Sequence, residues 1–242
     1  MTTSVKSVVI NKDDQGYRAE YTDFPVENIH QHEVNIDVDY STLNYKDALA
    51  ITGKGPVVRT FPMIPGIDLA GTVTDSKSDE FKVGDKVLLN GFGVGEKYLG
   101  GLSSKASMSA DWIIPLPANL TPKQAMQIGT AGYTAMLSII ALEKQGITPQ
   151  SGEILVTGAN GGVGSFAIYL LNQLGFDVVA TTGRMNEADH LEKLGAKRVL
   201  SREEFSAPGK PLAKEQFAGA IDSVGSHCLL YTSPSPRDRQ KS

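Results

Sequence analysis

The sequence predicts an α/β protein in two parts, a β-rich half followed by βαβ units on a parallel sheet. Up to about Pro117 the apolar residues fall in short or alternating runs separated by turn residues. From Thr121 apolar strands alternate with apolar helices, which is the pattern of strand–helix–strand units. A glycine-rich turn joins the first such strand to the helix after it.

The β-rich half is expected over residues 1–125, with strands at 5–10, 34–38, 70–73, 86–89 and 111–115 and turns at Pro65-Gly66 and Val83-Gly84-Asp85. Such runs with long loops between them suit a barrel or a sandwich. Thr121-Pro122-Lys123-Gln124 then supplies an N-cap, a proline in the first helical turn and a capping-box glutamine. The helix it starts should run through Leu142 and stop at Gly146. The second half is expected over 126–226, with strands at 153–157, 177–181, 197–200 and 218–224 and helices at 163–174 and 187–194. Residues 227–242 read as a foreign or disordered tail. They carry no apolar periodicity, and Ser233-Pro234-Ser235-Pro236 resembles translated cloning-adaptor sequence.

Composition narrows the function. A net charge of −4 over 242 residues, with the cations scattered, argues against nucleic acid or an anionic membrane as partner. The single cysteine, Cys228, excludes an internal disulfide and a multi-cysteine zinc site. The N-terminal residues lack a signal-peptide core, and no apolar run nears the ~20 residues a bilayer needs, residues 136–142 being the longest. A cytoplasmic protein is expected.

The motif that carries most chemistry is Val156-Thr157-Gly158-Ala159-Asn160-Gly161-Gly162-Val163-Gly164. Lying between an apolar strand and an apolar helix, it reads as a dinucleotide fingerprint. Gly161 lets backbone approach a pyrophosphate, Gly164 lets helix pack on strand, and the helix N-terminus offers free N–H groups. Ala159 replaces the first fingerprint glycine, so the turn is a variant. The next strand ends Ala180-Thr181-Thr182-Gly183-Arg184, without the carboxylate that would accept from a ribose 2′-hydroxyl. Thr182 and Arg184 can instead meet a 2′-phosphate, and Arg202 can add a second cation, which favours NADPH.

Two stretches, 41–50 (STLNYKDALA) and 61–71 (FPMIPGIDLAG), resemble the quinone-oxidoreductase-like branch of the medium-chain dehydrogenase/reductase superfamily. Residues 91–96 (GFGVGE), 128–136 (IGTAGYTAM) and 220–225 (AIDSVG) are similar to its acrylyl-CoA reductase group. The resemblance implies a GroES-like β-barrel catalytic domain and a Rossmann doubly wound parallel sheet, with the active site in the cleft between them. It implies NADPH-dependent reduction of acryloyl-CoA to propanoyl-CoA, and a homodimer for full-length members. Carried over residue by residue, Tyr45 contacts the cofactor, Asn160, Gly161, Gly162 and Val163 form the pyrophosphate turn, and Thr182, Gly183, Arg184 and Arg202 form the 2′-phosphate pocket.

Zinc-dependent relatives have Gly-His-Glu where this chain has Gly66-Ile67-Asp68, and a cysteine ligand near Asn44 that is absent here. His30, His32, His190 and His227 form no ligand cluster and read as surface histidines. No metal is therefore expected, and charge developing on a thioester oxygen must be met by N–H or O–H donors. The candidates are Asn44, Tyr45 and Thr130. Tyr45 can also deliver a proton, and Asp47 can orient the others. The alternative for Asn44 and Asp47 is that they brace a loop-to-helix transition. Lys46, Lys54 and Arg59 are candidate cations for CoA phosphates. NADPH:quinone reduction and a non-catalytic NADPH-binding module are the competing functions. Up to Ser226 the sequence supplies only the first four strands of a Rossmann sheet in the order 3-2-1-4-5-6, so the 242-residue chain expressed by itself is expected to be largely insoluble or self-associated and inactive with acryloyl-CoA.

Overall fold

Strands β1 (Ser4–Asp13) and β2 (Gly16–Pro25) pair antiparallel along their full length in the computed structural model, which describes residues 3–205 and 216–225. β1 buries Val5, Ser7, Val9 and Ile10, the alternation that marks a half-buried strand. β2 buries only Phe24 and so offers no apolar pattern to read, which is why it was not expected.

A five-stranded antiparallel sheet follows, in the order β6-β3-β4-β5-β7, formed by β3 (Val34–Ser41), β4 (Asp68–Ser76), β5 (Lys86–Asn90), β6 (Lys105–Met108) and β7 (Ile114–Pro115). Val34, Ile36, Leu69, Val73, Val87, Leu89 and Met108 close on one another as its core. Of the strand expected over 111–115 only Ile114–Pro115 pairs. Ala110–Trp112 forms a 3-10 turn instead. Pro115 has no N–H for a ladder, so this piece stays a short edge. Helix α1 (Tyr45–Thr52) connects β3 towards β4.

Helix α2 (Pro122–Lys144) starts as expected, since Gln124 Oε1 accepts from the Thr121 N–H at 2.9 Å and Thr121 Oγ1 accepts from the Gln124 N–H at 3.2 Å. By length and composition it could cross a bilayer, contrary to the expectation that no such run exists. It is not one continuous helix, because Gly129 has φ 50° and ψ −162°. Residues 130–144 alone extend about 22 Å at a rise of ~1.5 Å per residue, short of the ~30 Å hydrocarbon layer.

The chain divides into two compact units, Met1–Thr130 and Ala131–Ser242. The second holds a parallel sheet in the order β10-β9-β8-β11, made of β8 (Ile154–Val156), β9 (Val178–Thr182), β10 (Arg198–Ser201) and β11 (Gly219–Ile221). Helices α3 (Gly162–Gln173) and α4 (Ala188–Leu194) follow β8 and β9. Ile154, Val156, Val178 and Ala180 from the strands meet Ala167, Ile168, Leu171 and Leu191 from the helices. Among the described residues these are the first four strands of a Rossmann order. The expected tail, 227–242, lies outside the described residues, as do His227 and Cys228.

Candidate active site

In the first unit a fully buried carboxylate organises the loops around it. Asp68 opens β4, and its Oδ2 accepts from Asn44 Nδ2 at 2.8 Å and from the Thr130 N–H at 3.0 Å. Its Oδ1 accepts from Asn90 Nδ2 at 2.8 Å and from the Thr130 hydroxyl at 2.5 Å. Four donors thus fill the lone pairs of one buried carboxyl group, as burial of a polar group requires. Residues from the N-cap of α1, the end of β5 and the break in α2 converge on it. Sequence reasoning missed this hub. Its signal was a carboxylate at the end of Gly66-Ile67-Asp68, inside an otherwise apolar run.

Asn44 caps α1, and its N–H donates to Asp47 Oδ2 at 2.8 Å, the return half of a capping box. Asp47 Oδ1 accepts from the Ile67 N–H at 3.1 Å. Burial holds the Asp47 carboxyl above its usual range, partly offset by the hydrogen bonds from Asn44 and Ile67, while Asp68 raises it further. The Asn44 amide lies between the two carboxylates, with its Nδ2 also 3.3 Å from Asp47 Oδ2. Both neighbours are acceptors, so the NH2 end must face them.

This arrangement changes the expectation for the thioester oxygen. Both amide hydrogens of Asn44 and the single hydroxyl hydrogen of Thr130 are committed to Asp47 and Asp68, leaving neither side chain a spare donor. Tyr45, the first residue of α1, is 80% exposed and keeps its hydroxyl uncommitted among the described residues. Lys46 is ion-paired to Glu96 at 2.6 Å, whereas Lys54 and Arg59 are exposed. His32 is not an ordinary surface histidine. Its ring packs on Tyr98 and Trp112, with centroids 5.6 and 4.8 Å away, and its buried Nε2 has no hydrogen-bond partner.

In the second unit the glycine turn packs as the fingerprint requires. A Cβ on Gly164 would stand 2.4 Å from the Gly158 carbonyl oxygen and 2.8 Å from Ala159 Cα, so only glycine lets α3 come this close to β8. Gly161 is the N-cap of α3, and the first bond of the helix runs from the Ser165 N–H to the Gly161 carbonyl. The N–H groups of Gly162, Val163 and Gly164 therefore have no carbonyl of their own helix to donate to. At the switch between β8 and β11, Asp222 accepts from the Thr157 hydroxyl and from the N–H groups of Val224 and Gly225.

At the end of β9, Thr182, Asn160 and Arg184 are brought together with a residue that the sequence reading did not include, Glu187. The Thr182 hydroxyl donates to Asn160 Oδ1, and Asn160 Nδ2 donates to Glu187 Oε2 at 2.6 Å. Arg184 Nη1 lies 3.2 Å from Glu187 Oε1, and the Arg184 N–H donates to Thr182 Oγ1 at 2.9 Å. The ring of contacts closes. Arg202 lays its guanidinium over Gly183, where a Cβ would be 3.3 Å from it. The turn at α3 and the hydroxyl and cations at β9 suit a nucleotide with a phosphorylated ribose: free N–H groups stand where a pyrophosphate needs them, and no residue of the strand end itself is acidic.

The alcohol dehydrogenase GroES-like domain family matches residues 30–118. The chain is 56% identical over 197 residues to the probable acrylyl-CoA reductase AcuI of Escherichia coli, covering 81% of this chain and 60% of that protein. It is 47% identical over 231 residues to the acrylyl-CoA reductase AcuI of Ruegeria pomeroyi, covering 92% of this chain and 68% of that one. The YhdH oxidoreductase of Salmonella enterica, solved in complex with NADP, is 50% identical and superposes with a TM-score of 0.89, over 93% of this chain and 69% of that chain. The chain thus spans about two thirds of the length of these relatives.

Proposed function

The chain belongs to the medium-chain dehydrogenase/reductase superfamily, in the group of the acrylyl-CoA reductases, and on that premise we propose that it reduces the carbon–carbon double bond of a small α,β-unsaturated acyl-CoA, acryloyl-CoA to propanoyl-CoA, with NADPH. The observation that carries the cofactor is the constellation at the end of β9, where a hydroxyl and two guanidinium groups gather and the strand ends without an acid. The NADP bound to the Salmonella relative supports it. The acyl-CoA substrate rests on the names of the two curated relatives. A quinone acceptor is the weaker reading, because neither of those relatives is named for one.

When bound, NADPH supplies the hydride for the β-carbon. Gly161, Gly162, Val163 and Gly164 would hold its pyrophosphate on the open N–H groups of α3, with Asn160 beside them, and Thr182, Gly183, Arg184 and Arg202 would hold the 2′-phosphate. Tyr45 is the donor we assign to the acyl oxygen or the α-carbon, since Asn44 and Thr130 have no hydrogen left to give. Those two and Asp47 brace the loop that presents Tyr45 and are positioning residues in this reading. Added metal should not be needed: the Asp68 oxygens are filled by protein donors, and Ile67 carries no ligand atom. The reading places the protein in the cytoplasm as a small-molecule enzyme.

The test is steady-state oxidation of NADPH by the purified full-length protein with acryloyl-CoA and with a benzoquinone, before and after chelation. Turnover with acryloyl-CoA that survives the chelator and exceeds the quinone rate is expected. Turnover with the quinone alone would overturn the substrate, and loss of activity on chelation would overturn the metal-free reading.

A further inference from the structure

We infer that Glu187 is a specificity-determining residue of the nucleotide pocket, a carboxylate that holds the place of the 2′-phosphate and restrains the preference for NADPH over NADH. The inference rests on the NADPH reading above and adds to it a residue of opposite sign.

The geometry is that of an internal counter-anion. Glu187 spreads its two oxygens over two groups assigned to the nucleotide, Oε1 to Arg184 at 3.2 Å and Oε2 to the Asn160 amide at 2.6 Å. The same two residues are tied to Thr182, Asn160 through its Oδ1 and Arg184 through its backbone N–H, so the carboxylate closes a four-residue ring that leaves Arg202 outside it. A phosphate arriving on Thr182 and Arg184 meets this charge and must draw Arg184 away from it. A bare ribose 2′-hydroxyl has no such conflict, because a carboxylate can accept from it, as the acid of an NAD site does. One residue therefore does two opposed things: it orders the donors before the nucleotide arrives, and it repels the extra charge of NADPH. Glu187 is only partly exposed, at 35% of its side chain, so this repulsion is less screened than that between two surface charges.

The test measures dissociation constants of NADPH and NADH by titration calorimetry for the wild-type protein and for Glu187→Gln, Arg184→Ala and Asp189→Asn. Glu187→Gln keeps the size and an acceptor oxygen while removing the charge. It should raise the NADPH-to-NADH affinity ratio about threefold to tenfold, and Asp189→Asn, the same charge change on α4 outside the ring, should leave the ratio unchanged. A ratio that stays put or falls in Glu187→Gln, while Arg184→Ala collapses it, overturns the role of Glu187 and leaves the pocket standing. If Arg184→Ala does not move the ratio either, the pocket reading itself is overturned and Glu187 falls with it. An equal rise in Glu187→Gln and Asp189→Asn assigns the effect to overall charge and also overturns the inference.

Discussion

The chain builds two polar networks around carboxylates, and they differ in what they leave available. In the first unit Asp68 and Asp47 are buried, and their neighbours Asn44, Asn90 and Thr130 donate inward to them. In the second, Glu187 holds Arg184 and Asn160 at a partly open surface, and Arg184 keeps 61% of its side chain exposed. A buried carboxylate deprived of donors has no water to fall back on, so the first network is scaffold. The Glu187–Arg184 pair is open enough to water that an incoming phosphate can take Arg184 over, against the remaining repulsion from Glu187. Polar residues gathered at a site need not all be poised for a ligand: the Asn44 and Thr130 hydrogens are held by buried carboxylates, whereas the Thr182 hydroxyl donates to a neutral amide beside the exposed Arg184, in a ring that an anion can open.

The largest effect should come from opening the first network. Asp68→Ala leaves the donors of Asn44, Asn90 and Thr130 unmatched in the interior and should cost about 3–5 kcal/mol of unfolding free energy, measured by urea denaturation. A loss under 1 kcal/mol, on the order of a surface pair, would mean the hub is not a scaffold. Next is Gly164→Ala, whose Cβ would meet backbone atoms at 2.4 and 2.8 Å. Overpacking of this kind should cost about 2 kcal/mol, together with loss of nucleotide binding. An unshifted melting temperature would show that α3 can back away from β8. In the second network, Arg184→Ala should weaken NADPH by about tenfold, near 1.4 kcal/mol and at the low end for a charge-assisted contact because Arg184 is exposed. NADH should be spared, and an equal loss for both nucleotides would contradict the assignment.

The smallest effect is a pH dependence. Burial raises the Asp47 pKa in the folded protein above the ordinary value of 3.8, so the folded state binds this proton more tightly than the unfolded chain. The stability of wild type relative to Asp47→Asn should therefore be greatest below that ordinary value. It should fall as the pH rises from there through the raised folded value, then level off. Glu33 is the opposite case within the same unit, held low chiefly by the N–H of Ala110 and also by the hydroxyl of Ser109. Its contribution is present above the ordinary carboxylate range and is lost as the pH falls through its folded value. Comparing urea midpoints of Asp47→Asn and Glu33→Gln with wild type across the acid range should give difference curves of opposite slope, and parallel curves would refute the assignment.

What could be read from the sequence follows from where each signal resides. The glycine turn, the capping box at Thr121 and the parallel strands are local patterns, and the structure places the turn, the box and the first three strands within a residue or two of expectation, while the fourth, expected over 218–224, is a strand only over Gly219–Ile221. β2 and β6 were missed because their partners, and not their own residues, make them strands. The same holds for the sites. Thr182 and Arg184 could be proposed from their distance past the glycines, but Glu187 enters only because the 3-10 turn Met185–Glu187 swings it back over Asn160, and nothing in its spacing announces that. Asn44 and Thr130 were recognisable as polar residues in the right segments. That their hydrogens point at Asp68 is a fact of three loops meeting, and no single segment contains it.

The interruption of α2 at Gly129 is a disagreement between local and global preference. Residues such as Ala125, Met126, Ala131, Ala135 and Met136 favour a helix on both sides, and glycine in helical geometry would cost only ~1 kcal/mol relative to alanine. An excised peptide over 122–144 should therefore show one helix with no interruption. In the protein the chain breaks and starts again, and a restarted helix presents a second N-terminal end carrying partial positive charge. That end is Thr130, and the group facing it is the Asp68 carboxylate. A methyl group on Gly129 would stand 2.9 Å from Thr42 Cγ2 and 3.2 Å from Asp68 Oδ2, and φ 50° disfavours any side chain there. Straightening the helix would thus withdraw one dipole end from the carboxylate that needs it, and the folded protein is what keeps the peptide from following its own preference.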